Sequence, residues 1–188
     1  MDFKIVKSRR KTCTIQVKPN GDVLVKAPLY MPKSEIIKFV DSKRNWIEVS
    51  REKLAKLQSE REGLEPINVE EMKALAERAL IIIPQKVKYY SAIIGVTYGK
   101  ITVRNQKTRW GSCTRDGNLN FNCLLMLTPE EVIDYVIVHE LCHRKHMDHS
   151  AKFWAEVEKV LPEYKTSYKW LKANGGNLIH RMLAAKNK

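Results

Sequence analysis

The sequence predicts an α+β protein, and three patterns lead to that class. Apolar and polar residues alternate in two regions, residues 1–28 and 100–122, as they do in β-strands. Apolar residues recur at helical spacing over much of the remaining chain. One helical stretch ends in the pattern H-E-x-x-H, at His139–His143. We therefore expect a catalytic core with an active-site helix and a small antiparallel sheet, together with an N-terminal lobe of a β-hairpin and a helix.

The first alternating region predicts the hairpin. Ile15 and Val17 point to one face, and Val23 and Val25 return to it further along the chain. The intervening segment Pro19–Asp22 contains proline, asparagine and glycine, which favour a turn.

A helix should follow the hairpin and complete the N-terminal lobe. Ser34 is a candidate N-cap, and the helix is expected to break near Asp41–Ser42. The segment Gly63–Pro66 is typical of a linker. We place the N-terminal lobe at residues 1–65 and the catalytic core at residues 66–188.

The core should begin with a long scaffold helix. Asn68 is a candidate N-cap, and Glu71 is placed to complete a capping box. Apolar residues then recur at helical spacing as far as Tyr90, and Pro84 predicts a kink.

A strand with an unusual polar face is predicted after the turn signal Asp116–Gly117. Leu119 and Phe121 alternate there with three asparagines, although asparagine is depleted in strands. One interpretation is an edge strand near the active site that pairs with an extended substrate. The other is a solvent-facing strand whose asparagines serve the turn.

The H-E-x-x-H pattern predicts a metal site at the end of a buried helix. Thr128 is a candidate N-cap for this helix. His139 and His143 are four residues apart, so their imidazoles share one face and can hold one zinc ion. Glu140 lies beside that face, close enough to take a proton from a water that the metal activates. The alternative is a core helix whose histidines bond to the backbone.

A third ligand has two candidates. If the helix continues, His146 lies about 10 Å along the axis from His139, which is too far for ligands about 2 Å from one ion. His149 follows His143 by six residues, the spacing of a longer zinc-binding pattern, provided that the chain leaves the helix and turns back. We favour His149 and interpret His146 as a turn or surface residue; histidine is among the few residues other than glycine that are enriched at positive φ, which would allow a turn there.

Two more helices are predicted after the motif. The first carries Phe153 and Trp154, which should pack behind the site and fix His149. The second should start after Pro162 and end at Asn174–Gly176.

Four segments together resemble a known family. They are Arg109–Cys113, Asn118–Asn122, His139–His143 and Asp148–Trp154. They are similar to the YgjP-like metallopeptidases, relatives of the SprT-like and Wss-type zinc proteases. The resemblance implies a zincin-like core, a single YgjP-like domain over residues 1–188, and a zinc metalloendopeptidase activity. It also implies zinc held by His139, His143 and His149, with Glu140 as general base.

The composition of the chain indicates in which cellular compartment the protein works and which partners it binds. The N-terminus has no apolar run of signal-peptide length, and no segment is long enough to span a membrane, so we expect a cytoplasmic protein. The four cysteines form no C-x-x-C pair, which argues against a thiolate zinc site. A net charge of +13 favours acidic partners, and weak association of the basic surface with nucleic acid is one expectation.

The favoured function is a zinc-dependent peptidase that acts on peptides or proteins. The same chemistry could cleave a phosphoanhydride, which would make the protein a nucleotide phosphohydrolase. A nucleic-acid-associated SprT-like protease is another alternative, and a non-catalytic module with structural zinc is the third.

Overall fold

The computed structural model describes residues 2–184 and confirms the α+β class. The chain divides into two compact units, the first ending at Leu64 and the second starting at Glu65. Each unit contains one three-stranded sheet. None of the helices in the described part of the chain is long and apolar enough to cross a lipid bilayer.

The first unit contains the predicted hairpin and one further strand. Its strands are β1 (Lys4–Ser8), β2 (Thr14–Val17) and β3 (Val23–Pro28). The hairpin strands β2 and β3 pair antiparallel, and β1 pairs with β3 in parallel on its other edge. The central strand β3 is therefore the most buried, because both its edges are covered.

Two helices complete the first unit, α1 (Lys33–Ser42) and α2 (Arg44–Arg61). The break between them at Lys43 agrees with the break expected near Asp41–Ser42. The Ser34 cap is wrong, since α1 begins after Pro32 without a side-chain cap. The core of this unit combines β3 with the inner faces of both helices, and consists of Val23, Val25, Ala27, Ile36, Val40 and Ile47.

The second unit begins with the long helix α3 (Val69–Ile94). As predicted, Asn68 caps it, because the Asn68 side chain accepts a hydrogen bond of 2.7 Å from the Glu71 amide. Pro84 lies inside this helix without ending it. Gly95, with a φ of 74°, ends it in the left-handed conformation that glycine adopts readily.

The second sheet consists of β4 (Ile101–Arg104), β5 (Gly111–Cys113) and β6 (Leu119–Asn122). Its order is β4-β6-β5, so the asparagine-rich strand β6 is central and neither an edge strand nor a solvent-facing one. The prediction failed because β4 pairs with it in parallel from a distant part of the sequence. The expected antiparallel pairing is present between β5 and β6, and β5 is the edge strand.

A 3₁₀ turn, Cys123–Leu127, leads from the sheet into helix α4 (Glu130–Cys142). The Thr128 cap is wrong: α4 has no side-chain cap, and the Thr128 hydroxyl donates to the Leu125 carbonyl at 2.8 Å. Helix α4 is buried on nearly all sides and packs against α3, β5 and two later helices. It is therefore the central element of the core.

Those later helices are α5 (Ala151–Val160) and α6 (Tyr164–Ala184). The predicted end of α6 at Asn174–Gly176 is wrong, because the helix continues through these residues. Gly175 serves close packing here: a Cβ atom on it would lie 3.0 Å from the Trp110 indole. Gly175 therefore marks a close contact between α6 and the loop that carries Trp110, and not the end of a helix.

Candidate metal centre

The site starts from two histidines on the last turn of α4. His139 lies within the helix, and His143 follows its end with helical backbone angles of −63° and −16°. Their side chains therefore leave the helix on one face, one turn apart. His143 is only 8 % exposed, so both rings stand at the edge of the core rather than in open solvent.

The chain turns back immediately after His143, and two basic side chains anchor this turn. Arg144 donates hydrogen bonds to the carbonyls of Thr97 (3.0 Å) and Arg115 (2.7 Å). Lys145 forms a 2.6 Å ion pair with Glu156 of α5. These contacts fix both sides of the turn, which allows the chain to approach α4 again.

The returning segment brings His149 beside His139. The Nε2 atoms of these two rings are 3.1 Å apart, and ligand atoms of His139, His143 and His149 all lie within 4.8 Å of one another. His146 is not part of this group. The turn needs no positive φ at His146, since every positive φ in the described chain belongs to a glycine.

The backbone of His146 has a different role. Its carbonyl oxygen lies 3.0 Å from Nδ1 of His143. A carbonyl can only accept, so Nδ1 of His143 carries the proton and donates. The unprotonated Nε2 of His143 then keeps its lone pair for a metal.

The ring of Phe153, in α5, packs against all three imidazoles. Its ring centroid lies 4.9 Å from His139, 4.6 Å from His143 and 4.9 Å from His149. Trp154 adds contacts to His139 and His149 at 5.8 and 5.9 Å. The prediction that this pair packs behind the site is confirmed, and aromatic packing holds the three rings.

Burial keeps the imidazoles in the form that binds metal. Burial, with smaller contributions from the neighbouring His143 and His149 rings, lowers the pKa of His139 to about 3. Burial also lowers the pKa of His143, against the hydrogen bond to His146, which raises it. Both rings are therefore neutral at pH 7 and retain a lone pair.

The spacing of one pair of ring nitrogens, those of His139 and His149, is close to the spacing around a zinc ion. Two nitrogens about 2.05 Å from one tetrahedral zinc are about 3.3 Å apart, close to the observed 3.1 Å. Among residues 2–184, Nδ1 of His139 is buried and has no hydrogen-bond partner, while Nε2 faces the His149 ring. Three imidazoles form a donor set suited to zinc and similar divalent ions.

Glu140 lies next to this group and under the edge strand. Its side chain is 6 % exposed, and burial raises the pKa of its carboxyl to about 8, while the positive charge of Arg109 opposes this shift. Gly111 of β5 passes directly over it. A Cβ atom at Gly111 would lie 2.6 Å from Oε1 of Glu140, so only glycine allows the strand and the carboxyl group to come this close.

A small cleft of about 260 Å³ opens over these groups. The edge strand β5 forms one wall and the histidines form the other. The lining residues are Arg109, Gly111, Ser112, Cys113, His139, Glu140, His143, Met147 and His149. A larger apolar groove of about 850 Å³, between the start of α3, the end of β4 and α6, shares none of these residues.

A buried asparagine holds the loop that carries Arg109 through hydrogen bonds. Asn122 is 0 % exposed, and its side-chain amide donates to the carbonyls of Gln106 (2.8 Å) and Arg109 (3.0 Å). Its backbone amide donates to the Trp110 carbonyl at 2.9 Å. The end of β6 thus fixes the loop before β5, which explains why a polar residue is buried there.

Comparison with known proteins agrees with this geometry. The family described as "YgjP-like, metallopeptidase domain" matches residues 11–73 and 70–174. The chain belongs to this family of metallopeptidase domains. The resemblance predicted from the four sequence segments is thereby confirmed. No match was found among curated proteins.

Two solved structures are similar to part of the chain. The metallopeptidase zymogen of Pyrococcus abyssi abylysin is 25% identical, with a TM-score of 0.45, over 49% of this chain and 94% of that one. The metallopeptidase zymogen of Methanocaldococcus jannaschii jannalysin is 23% identical, with a TM-score of 0.42, over 48% of this chain and 92% of that one.

Several residues that shape the site were not predicted from sequence. Gly111 was part of a recognised segment, but nothing in its spacing placed it beside Glu140. The role of Asn122 was also missed, although a polar residue at the end of an apolar strand is a signal for a buried hydrogen-bond network. Lys145 and Glu156 are eleven residues apart, so their pairing depends on the turn between two helices.

Proposed function

We propose that the protein is a zinc-dependent metallopeptidase in which His139, His143 and His149 hold the metal and Glu140 is the general base. The observation that carries this proposal is the convergence of three imidazoles beside one buried carboxyl group. Three protein ligands leave a position open for water or substrate, as catalytic zinc requires. Membership of a metallopeptidase family supports the reaction class.

When bound, zinc would act as a Lewis acid that polarises the scissile carbonyl and lowers the pKa of water towards about 7. The chain supplies the proton transfers. The Glu140 carboxylate accepts a proton from the attacking water and then donates it to the nitrogen of the leaving amine. Burial raises the pKa of Glu140 to about 8, and the positive charge of Arg109 in the same cleft opposes that shift; the positive charge of a bound zinc ion would favour the ionised form further.

The edge strand β5 offers a binding surface for an extended peptide. It pairs with β6 along one edge, and its three residues line the cleft with the histidines. A peptide that adds to the free edge would place its backbone along Gly111, directly above Glu140. We infer that the substrate binds as an additional strand. We also infer that both units form one metallopeptidase domain, because the family match extends over both.

A phosphoanhydride is the second candidate substrate. The segment 100–115, which leads into the cleft, contains five Lys/Arg and no Asp/Glu, which would also suit a polyphosphate. The peptidase remains the favoured function because a backbone edge strand recognises peptides and not phosphates.

The direct test is activity with and without metal. The purified protein should contain about one zinc per chain and should cleave members of an unstructured peptide library. A zinc chelator should abolish cleavage, and added zinc should restore it. Nucleoside triphosphates should not be hydrolysed under the same conditions. Metal-dependent hydrolysis of triphosphates without any peptide cleavage would reverse the assignment of the substrate.

A further inference from the structure

Residues 100–115, which include the cleft-lining Arg109, carry five positive charges and no negative one. The segment that forms β4, the following loop and β5 contains Lys100, Arg104, Lys107, Arg109 and Arg115, with no acidic residue. Within residues 2–184, none of these five side chains takes part in an ion pair. Clustered positive charge without counter-charges attracts anionic groups and raises their local concentration.

Arg109 is the member of this group that reaches the reacting centre. It lines the cleft together with Gly111 and Glu140. Its guanidinium has neither a hydrogen bond nor an ion pair among the residues that the structure describes, although its charge acts on Glu140. An arginine in a cleft with five free donors is suited to bind a planar carboxylate through two hydrogen bonds.

The position of Arg109 is fixed even though its side chain is exposed. Buried Asn122 donates to the Arg109 carbonyl at 3.0 Å and to the Trp110 carbonyl at 2.9 Å. The Trp110 indole in turn packs against Gly175. The base of the arginine side chain is therefore held by two buried contacts, which reduces the entropy lost when the guanidinium binds a ligand.

The acidic groups near the cleft do not neutralise Arg109. Glu140 is buried beneath Gly111. Asp148 does not line the cleft, and its carboxylate accepts a 3.2 Å hydrogen bond from the Ser150 amide. The mouth of the cleft thus presents a cation that makes no direct hydrogen bond or ion pair with the described residues, although its charge acts on the buried Glu140.

We propose that Arg109 is a specificity-determining residue that binds an acidic side chain of the peptide substrate close to the scissile bond. This inference rests on the proposed peptidase function and adds a substrate class to it: peptides with Asp or Glu at one of the positions beside the cleaved bond. The basic segment 100–115 draws such peptides to the cleft, and the Arg109 guanidinium binds the carboxylate in a defined register along β5.

The experiment compares matched peptides with the zinc-loaded, full-length protein. Cleaved bonds are first mapped in a peptide library by mass spectrometry. Fluorogenic peptides then differ only by Glu, Gln or Lys at one of the two positions on either side of the bond. At one position, kcat/KM for the Glu peptide should exceed that for the Gln peptide by about tenfold to a hundredfold, the range for a charge-assisted hydrogen bond. This preference should weaken at high salt.

Three variants assign the preference to one residue. Arg109→Gln should remove the Glu preference, and Arg109→Glu should replace it with a preference for Lys at the same position. Lys107→Gln is the matched control, since Lys107 is an exposed cation in the same loop that does not line the cleft. It should keep the preference of the parent. Zinc content and melting temperature confirm that each variant is folded.

The outcomes separate this inference from the proposed function. Peptide cleavage at equal rates for Glu and Gln peptides, or a Glu preference that survives Arg109→Gln, would overturn the role of Arg109 and leave the peptidase intact. Failure to cleave any peptide, with hydrolysis of nucleoside triphosphates instead, would overturn both.

Discussion

The two sheets of this protein have the same topology and different chemistry. In each, the first and third strands pair in parallel and the second and third pair antiparallel, which gives the orders β1-β3-β2 and β4-β6-β5. The central strand β3 buries only apolar residues, whereas β6 also buries Asn122. The edge strand β5 has a glycine against a carboxyl group, and β2 has no such contact among the residues described.

This comparison shows that strand topology does not determine function. Asn122 holds the loop before β5, the missing side chain at Gly111 leaves room for Glu140, and α4 with the turn after it supplies the three histidines. The first sheet has no equivalent of these three features in the described chain. Function depends on side chains that a common scaffold places. Substitutions in the second sheet and its neighbouring turn should therefore affect metal or activity, and those in the first sheet should affect stability alone.

The largest effect is expected from loss of a metal ligand. His149→Ala should reduce zinc from about one per chain to a small fraction, because two imidazoles alone do not complete the usual three-ligand site. His146→Ala is the matched control, since His146 contributes its backbone carbonyl and not its ring to the site. Metal analysis of both purified variants decides the assignment. A zinc-free His146→Ala variant beside a zinc-replete His149→Ala variant would reverse it.

A smaller effect on activity is expected from Gly111→Ala. The added methyl group would overlap the Glu140 carboxyl, so one of them must move. A displacement of about 1 Å in a catalytic group can cost about a hundredfold in rate. Zinc content should be unchanged. Thr14→Ala in β2, the corresponding edge strand of the first sheet, should leave the rate at the parent value. Full activity of Gly111→Ala would show that this close contact has no part in catalysis.

The smallest effect on chemistry is expected from Trp110→Ala, which should act mainly on stability. Trp110 is half-buried against the main core and packs on Gly175. Its removal should lower the free energy of unfolding by about 3 kcal/mol, the low end for loss of a large aromatic residue. Denaturant unfolding and kcat/KM at a temperature where the variant is folded measure the two effects. An unchanged stability with abolished turnover would place Trp110 in the substrate site.

The sequence predicted features that depend on local rules. The β2–β3 hairpin, the Asn68 cap and the break near Lys43 follow from turn, cap and helix patterns within a few residues. The common face of His139 and His143 follows from helical spacing. The return of His149 to His139 was predicted by excluding His146 on distance, and the two Nε2 atoms lie 3.1 Å apart. Their role as metal ligands stays a prediction.

Features that depend on distant pairings could not be predicted. Strand β6 is central because β4 pairs with it, and these two strands are separated in the sequence by the whole β5 segment. The Gly175 signal was misread as a helix end because its partner, Trp110, is 65 residues away. The contact of Gly111 with Glu140 likewise joins a strand and a helix that only the folded core brings together. The cytoplasmic location and the association with nucleic acid stay predictions.

The most direct test of the central claim is the Glu140→Gln variant. Glutamine keeps the size and polarity of the side chain but cannot accept a proton from the attacking water. Glu140 is not one of the three proposed ligands, so zinc content should remain near that of the parent.

The measurement combines zinc stoichiometry with turnover of the same peptide substrate for parent and variant. We expect full zinc occupancy and a loss of activity of about two to four orders of magnitude, the usual contribution of a positioned general base. A Glu140→Gln protein that keeps its zinc and cleaves the peptide at the parent rate would contradict the account, because Glu140 would then not be the base.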